Sequence, residues 1–418
     1  MSRKLSLVLL LLLCLVVPAL AQSQSDDVVR ITTNLVQIDA VVTKNGKPIK
    51  DLKAEDFELF EDGRRQEITS FVYISNVADN TGATPNTSSK DPNTPTDPAA
   101  PPPPTPTEVP RRRIAFVIDD YGLSAQSMAE IKRQMRKFID EQLNPNDLIA
   151  VVLTSRAKRE LPNFTNDKSR LNQSWEHLKW NQCSRVGVKP IPRVGSNANI
   201  GCGGAGSFDD SINALRATVI ALGHVPGRKS MILFSDDTPL REDEKFNRGS
   251  GSVLNPDPRQ EDARSYTLAL KRLAELAIRS SVVIYGVDAG GLQTTSLTAA
   301  DATLRPMTAG SEGNSLFGGQ LRSRSALLQR RREGANMIAK ETGGFLVQNQ
   351  NEFQFDKILE DQSGYYLIGY RPSTETFDKR FHKIRARVKK PGLNVRTRSG
   401  FFGMTEEDAK RLKQTTGK

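Results

Sequence analysis

Paired carboxylates are the residues of this chain with the clearest capacity for chemistry. Asp119 and Asp120 follow the apolar run Ile114 to Ile118, and Asp236 and Asp237 follow Ser230 to Ser235. Asp209 and Asp210 open a helix between the two pairs. Two carboxylates about 4 Å apart repel by roughly 4 kcal/mol at an effective dielectric near 20. A hard cation with oxygen ligands relieves that repulsion, and Mg²⁺ takes one or two carboxylates plus hydroxyls while keeping several waters. The competing neutralisers are Arg228 or Lys229, just before the later strand, and divergence of the side chains into water. Asp and Ser are also ordinary turn and cap residues, so a plain strand-to-helix turn is the other account of Asp119 to Ser124.

Other constellations fail on spacing. His177, His224 and His382 stand on different elements with no metal-ligand spacing. The loop Gly201 to Gly206, GCGGAG, matches G-x-G-x-x-G ahead of a helix. A dinucleotide fingerprint needs a strand immediately before it and an acidic residue about twenty positions on, and neither is present. The Lys of a phosphate-binding loop is missing too. No G-x-S-x-G elbow occurs, and nothing specific supports a paired-carboxylate hydrolase.

The elements that must position the carboxylates alternate from Arg111 onward. Ile114 to Ile118 is uninterrupted and apolar, the pattern of a strand buried on both faces of a parallel sheet. Ser124 can cap a helix carrying Met128, Ile131, Met135, Phe138 and Ile139 at helical spacing. Further strands are expected at Leu148 to Ser155, Leu161 to Thr165, Ser230 to Ser235, Val282 to Val287 and FLVQ. Helices are expected near Ser169 to Trp180, after Gly206, over Ala263 to Ser280 and over Ala326 to Glu341, with a Gly/Ser/Thr loop over 289–325. This alternation predicts an α/β, doubly wound, mostly parallel sheet flanked by helices over 111–362, with ligands bound outside the carboxyl edge.

The two ends read differently. Over 26–75 the period is two, with hairpin turns at Asn45-Gly46 and Asp62-Gly63; 363–403 alternates in the same way, with its last turn at Pro391-Gly392. Neither segment has much core of its own, so the two are expected to pair in one β-sandwich-like unit. Between them, 76–110 is a Pro/Thr-rich linker without fixed structure, and 404–418 is a polar tail.

Arg3 and Lys4, the leucine-rich run Leu7 to Val17 and Ala19-Leu20-Ala21 read as a secretory signal over 1–21, cleaved after Ala21. No later stretch is apolar enough to span a bilayer, so a periplasmic or secreted protein is expected. Export leaves Cys183 and Cys202, an isolated pair that reads as one disulfide closing a surface loop, worth roughly 3 kcal/mol by chain entropy. The formal charge of +11 would suggest nucleic acid in a cytosolic protein. Export and the lack of interleaved aromatics argue against it, and the clusters at 111–113, 330–332 and 379–390 read as solvated faces.

Three features together resemble the acidobacterial VWFA-related family of exported proteins. These are the opening VQIDAVVTKNGKPIKDLKAEDFELFEDGRRQEI, the core segments IAFVIDD, RKSMILFSDD, VVIYGVDAGG and MIAKETGG, and the closing YYLIGYRPSTETFDKRFHKIRARVKKPGLNVRTRSGFFG. The core segments look like a von Willebrand factor type A domain. That resemblance implies a metal-ion-dependent adhesion site in which Mg²⁺ takes a partner's carboxylate as its last ligand. Its first Asp falls on Asp120, its second serine on Ser124 and its late Asp on Asp236. The first serine falls on Gly122, and the Thr position lies near Gly206-Ser207, where Ser207 stands in only if the loop shifts. Counting from Asp119 instead loses both serines, to Tyr121 and Leu123. The implied site is therefore degenerate, with Asp119, Asp209, Asp210 and Asp237 as its weaker candidates. The expectation is a non-enzymatic binding or adhesion protein for an unidentified protein or cell-envelope ligand. The alternatives are a metal-free scaffold binding through its long loops and, last, a carboxylate-dependent hydrolase.

Overall fold

The computed structural model describes residues 35–75, 112–145, 147–157, 163–181, 184, 208–225, 228–238, 240, 258–291, 313–350, 353–372, 378 and 380–403, without the side chains of 258–265, 313–324 and 327. The expected signal and its Ala21, the linker 76–110, Cys183, Cys202, Ser207 and the tail 404–418 lie outside the described residues. Among the described residues, no helix is long and apolar enough to cross a membrane.

The chain begins with β1 (Val36–Lys44), β2 (Lys47–Pro48), β3 (Phe57–Glu61), β4 (Arg64–Gln66) and β5 (Ile68–Ser75). Two hairpin turns organise them. Asn45 and Gly46 have φ of 50° and 84°, and Asp62 and Gly63 have φ of 46° and 82°. Successive left-handed residues give the turn twist that two antiparallel strands need, which Asn, Asp and Gly tolerate best.

The middle of the chain alternates β6 (Arg113–Ile118), α1 (Ala125–Glu141), β7 (Leu148–Leu153), α2 (Lys168–Glu176), α3 (Phe208–Gly223), β8 (Lys229–Ser235), α4 (Pro258–Arg279), β9 (Val282–Asp288), α5 (Gly313–Glu341), β10 (Leu346–Val347) and α6 (Phe355–Gln362). The five strands form one sheet in the order β10-β9-β8-β6-β7, and every pairing in it is parallel. Its strands are apolar along their length because both faces are covered. Ile114, Phe116 and Ile118 pack with Met135 and Phe138 of α1, Trp175 of α2 and Phe355 of α6. The alternate residues Ala115 and Val117 pack with Leu215 and Val219 of α3 and with Leu270 and Leu273 of α4. Strand order reverses at β6, whose neighbours are β7 on one side and β8 on the other. The carboxyl ends of β6 and β8 therefore flank the crevice where open parallel sheets hold ligands.

Two departures from the sequence reading stand out. Helix α5 starts at Gly313 rather than Ala326, so the expected 289–325 loop is helical over its last third. Gly318-Gly319 and the surrounding serines have low helix propensity, which hides that extension in the sequence. The expected strand at 161–165 is reduced, among the described residues, to one bridge between Thr165 and Ile149.

The chain closes with β11 (Gly364–Tyr370), β12 (Phe381–Val388), β13 (Asn394–Arg396) and β14 (Gly400–Phe402). One antiparallel sheet has the order β13-β1-β11-β5 with β2 on β1, and the other has the order β14-β12-β3-β4. Each sheet combines strands from both ends of the chain: β1 pairs with β11 from Val36↔Tyr370 to Ala40↔Tyr366, and β12 with β3 from Ile384↔Glu61 to Val388↔Phe57. Ile38, Ala40, Tyr366 and Ile368 from one sheet share a core with Phe57, Leu59 and Ile384 from the other. This antiparallel unit abuts the amino-terminal edge of the parallel sheet. Arg398 donates to Ile278 O and Gln37 O, and Arg279 lies 3.9 Å above the Phe402 ring. Gly343 is required at this junction, because its φ of 87° is left-handed and an added Cβ would sit 3.0 Å from Arg398 N and Thr397 C.

Candidate functional site

The carboxylates at the carboxyl edge of β6 and β8 are almost wholly inside the protein. Asp119, Asp120 and Asp236 are 3, 2 and 7 % exposed. A bare carboxylate at that depth is costly unless donors surround it. Asp119 Oδ1 accepts from Ser211 Oγ of α3 at 2.6 Å and Thr154 Oγ1 after β7 at 3.2 Å, and its Oδ2 accepts from Ser235 Oγ of β8 at 2.9 Å. Asp120 Oδ1 accepts from Thr154 Oγ1 and from the Ser155 N–H, both at 2.9 Å, and its Oδ2 accepts from Asn181 Nδ2 at 3.2 Å.

Asp236 is drawn to the start of α1. Its Oδ2 accepts from the Ser124 N–H at 3.0 Å and from Ser127 Oγ at 2.6 Å. Ser124 caps that helix by accepting the Ser127 N–H at 3.1 Å, so the carboxylate also meets the positive end of the helix dipole. Asp236 Oδ1 is buried with no donor among the described residues. Burial dominates its titration and pushes the carboxyl up to about 6, helped by nearby Asp288, while Ser127 and Ser124 act in the opposite direction.

The cations at this edge come from α5. Arg332 Nε lies 2.5 Å from Asp288 Oδ2 at the end of β9, and Arg331 Nε lies 3.9 Å from Asp237 Oδ1. Burial raises the Asp288 carboxyl, with Arg332 opposing. The helix is held there by Thr238, whose N–H donates to Arg331 O at 2.7 Å and whose carbonyl accepts from Gly334 N at 2.9 Å. Arg228, read from sequence as a neutraliser, instead faces Asp361 at 3.9 Å beside Arg396. Lys229 begins β8 at the opposite edge of the sheet, and burial lowers its ammonium.

Of the sequence candidates, the structure brings Ser124 and Asp236 into direct contact and places Asp120 in a separate set of donors. Asp209 is exposed and Asp210 half-buried in the first turn of α3. Sequence reasoning missed Thr154, Ser155, Asp288 and the two α5 arginines. Two signals were available, because LIAVVLTS and VVIYGVD also end their strands in polar residues at the same edge.

A second cluster lies in the antiparallel unit. Glu61 and His382 are buried, and Asp62 stands exposed in the turn beside them. His382 Nδ1 is 3.0 Å from Asp62 Oδ2 and 3.3 Å from Glu61 Oε1, and its Nε2 is 3.1 Å from Asp378 Oδ1. Strand register explains the meeting: β12 sets Ile384 opposite Glu61, and His382 lies two residues away on the same face. Nothing in the spacing of 61, 62 and 382 announces this cluster.

No protein-family model matches the chain, and no curated protein does. Solved structures give weak likenesses. An aerotolerance-related membrane protein from Bacteroides fragilis is 13% identical with a TM-score of 0.31, over 60% of this chain and 97% of that one. The conserved hypothetical protein BatB from Bacteroides thetaiotaomicron is 17% identical with a TM-score of 0.26, over 60% and 96%. The pilus adhesin SpaC from Lactobacillus rhamnosus GG is 12% identical with a TM-score of 0.28, over 71% and 43%. Function does not follow from likenesses at this level.

Proposed function

We propose that this chain is a non-enzymatic binding protein of the cell exterior, in which the α/β part is a metal-independent scaffold for loops that take a protein or envelope ligand. One observation supports this most: the network at the carboxyl edge anchors the longest connections within the α/β part. The connection 177–207 is tied where Asn181 donates to Asp120 and Ser184 Oγ donates to Leu123 O at 2.7 Å. The connection 236–257 leaves through Asp236 and Thr238, and 289–312 leaves through Asp288 and Gly290, whose N–H donates to Asp288 Oδ1 at 3.2 Å. Loops on a rigid edge are where binding residues concentrate. The donors that a metal would otherwise replace are hydroxyls and backbone N–H groups of the chain itself.

One feature favours a metal-dependent version of the same role. Asp236 Oδ1 lacks a donor among the described residues, and Ser124 and Asp236 adjoin as the von Willebrand factor A resemblance requires. Calorimetric titration of the full chain with Mg²⁺ and with Mn²⁺, beside Asp120→Ala and Asp236→Ala, separates the two. The scaffold reading expects no saturable binding at this edge. Saturable heat that disappears in both variants overturns it in favour of the adhesion site. Turnover of peptide or cell-wall substrates that Asp236→Ala abolishes would overturn both.

A further inference from the structure

Glu61 sits in an unusual electrostatic position. Its side chain is 4 % exposed, and neither carboxylate oxygen has a hydrogen-bond donor among the described residues. The Tyr370 hydroxyl is likewise buried with no hydrogen-bond partner among the described residues. Nδ1 of His382 cannot serve it either. A ring nitrogen carries at most one proton, and Nδ1 faces both Glu61 Oε1 at 3.3 Å and Asp62 Oδ2 at 3.0 Å. The other ring nitrogen faces a third carboxylate, Asp378, at 3.1 Å. Three carboxylates thus surround one imidazole; Asp378 has a second partner in Arg380, whose Nε lies 3.2 Å from its Oδ2, so Glu61 and Asp62 are the two left with a single ring nitrogen between them.

The geometry supplies what a divalent metal needs. A tetrahedral ion bonded at about 2.0–2.1 Å holds its ligand atoms about 3.3 Å apart. The separations of Nδ1 from the Glu61 and Asp62 oxygens, 3.3 and 3.0 Å, fall at that edge length. Asp378 stands on Nε2 at 3.1 Å, the carboxylate-histidine arrangement that fixes a ring with its Nε2 proton outward and its Nδ1 lone pair toward the metal. The ring is held in plane by Phe401, stacked at 5.1 Å and 19°. Asp62 is fixed independently, because its Oδ1 accepts the Lys383 N–H at 2.8 Å and leaves Oδ2 for the cluster. The donor set of one imidazole and two carboxylates suits Zn²⁺ better than Mg²⁺ or Ca²⁺, which prefer oxygen alone.

We propose that Glu61, Asp62 and His382 form a Zn²⁺ site in the antiparallel unit, with Asp378 orienting the histidine and a fourth coordination position open on the solvent side of Asp62. The site ties the Asp62-Gly63 hairpin, made early in the chain, to strand β12, made late. It is independent of the carboxyl-edge network, so the result at either place leaves the other untouched.

The test uses the full chain, stripped of metal and titrated with Zn²⁺ against a chromophoric chelator, with Co²⁺ as a spectroscopic probe of the ligand field. One equivalent is expected to bind, with the visible bands of four-coordinate Co²⁺ and a rise in Tm. His382→Gln and Asp62→Asn should abolish that binding. Asn keeps both the left-handed backbone at 62 and an oxygen for the Lys383 N–H, so Asp62→Asn removes a ligand without removing the turn. Asp378→Asn should weaken binding about 10- to 100-fold, and Asp140→Asn, at an exposed carboxylate of α1, should leave it unchanged. The proposal is overturned if the wild type binds no stoichiometric metal, or if His382→Gln and Asp62→Asn bind as the wild type does. The first result would make the cluster a protonated histidine between carboxylates.

Discussion

The carboxyl edge of the parallel sheet and the Glu61–His382 corner of the antiparallel unit both bury carboxylates, and they handle the charge in opposite ways. At the edge, each of Asp119 and Asp120 gathers donors from several segments, with Thr154 shared between them. At the corner, Glu61 is equally buried and receives none among the described residues. A buried polar network is stable when every member is satisfied and costly when one is not. Asp119 and Asp120 are therefore satisfied by the chain's own donors, with only Asp236 Oδ1 beside them lacking one among the described residues, whereas Glu61 has both oxygens left for something added.

Removing the shared hydroxyl should break that contrast most sharply. Thr154→Val keeps the shape but removes the one hydroxyl proton that Asp119 and Asp120 share, and a hydrogen bond to a charged group contributes roughly 1.5–3 kcal/mol. Urea unfolding is expected to show a loss in that range. A loss under 1 kcal/mol would mean that the edge carboxylates do not depend on the chain's own donors.

Asp236 gives a pH signature of similar size. Its carboxyl titrates near 6 in the folded protein against 3.8 as the ordinary value. Between those pH values the folded state holds the proton more tightly, so this group's contribution to stability increases as pH falls through 6 and levels off below 3.8. A shift of that order corresponds to roughly 2–3 kcal/mol. Thermal unfolding between pH 7 and pH 4.5 should show this component in the wild type and lose it in Asp236→Asn. An unchanged profile in that variant would place the titration elsewhere.

The smallest effect carries the sign that distinguishes the two regions. In metal-stripped protein, Glu61→Gln removes a charge that has no donor among the described residues and should stabilise by about 1 kcal/mol. If it destabilises as Thr154→Val does, the corner is as self-sufficient as the edge and the comparison fails.

The mixed α/β architecture was legible because it rests on local pattern. Ile114 to Ile118 and Val282 to Val287 could be apolar throughout only if covered on both faces, and Val36, Ile38 and Ala40 could alternate only with one face covered. Charge compensation was not legible, because it depends on which distant residues the fold brings together. Arg332 reaches Asp288 from a helix whose first half is masked in sequence by Gly318-Gly319. His382 meets Glu61 through a strand register that no local spacing encodes. Asp119 and Asp120 were found because they adjoin in sequence, but the hydroxyls that satisfy them come from β7, α3 and β8.

The pairing of β1 with β11 also sets the order of events during synthesis. Val36 lies opposite Tyr370, so the first strand has no neighbour on that side until nearly the whole chain has been made. The α/β part between them is built from contacts closer in sequence and can form first, shortening the effective loop that β1 and β11 must close. Until then β1 is an apolar strand with open edges, the kind of segment that self-associates. Folding of this protein should therefore be limited by the meeting of its two ends, and a nascent chain stalled before residue 364 would be the form most in need of a chaperone.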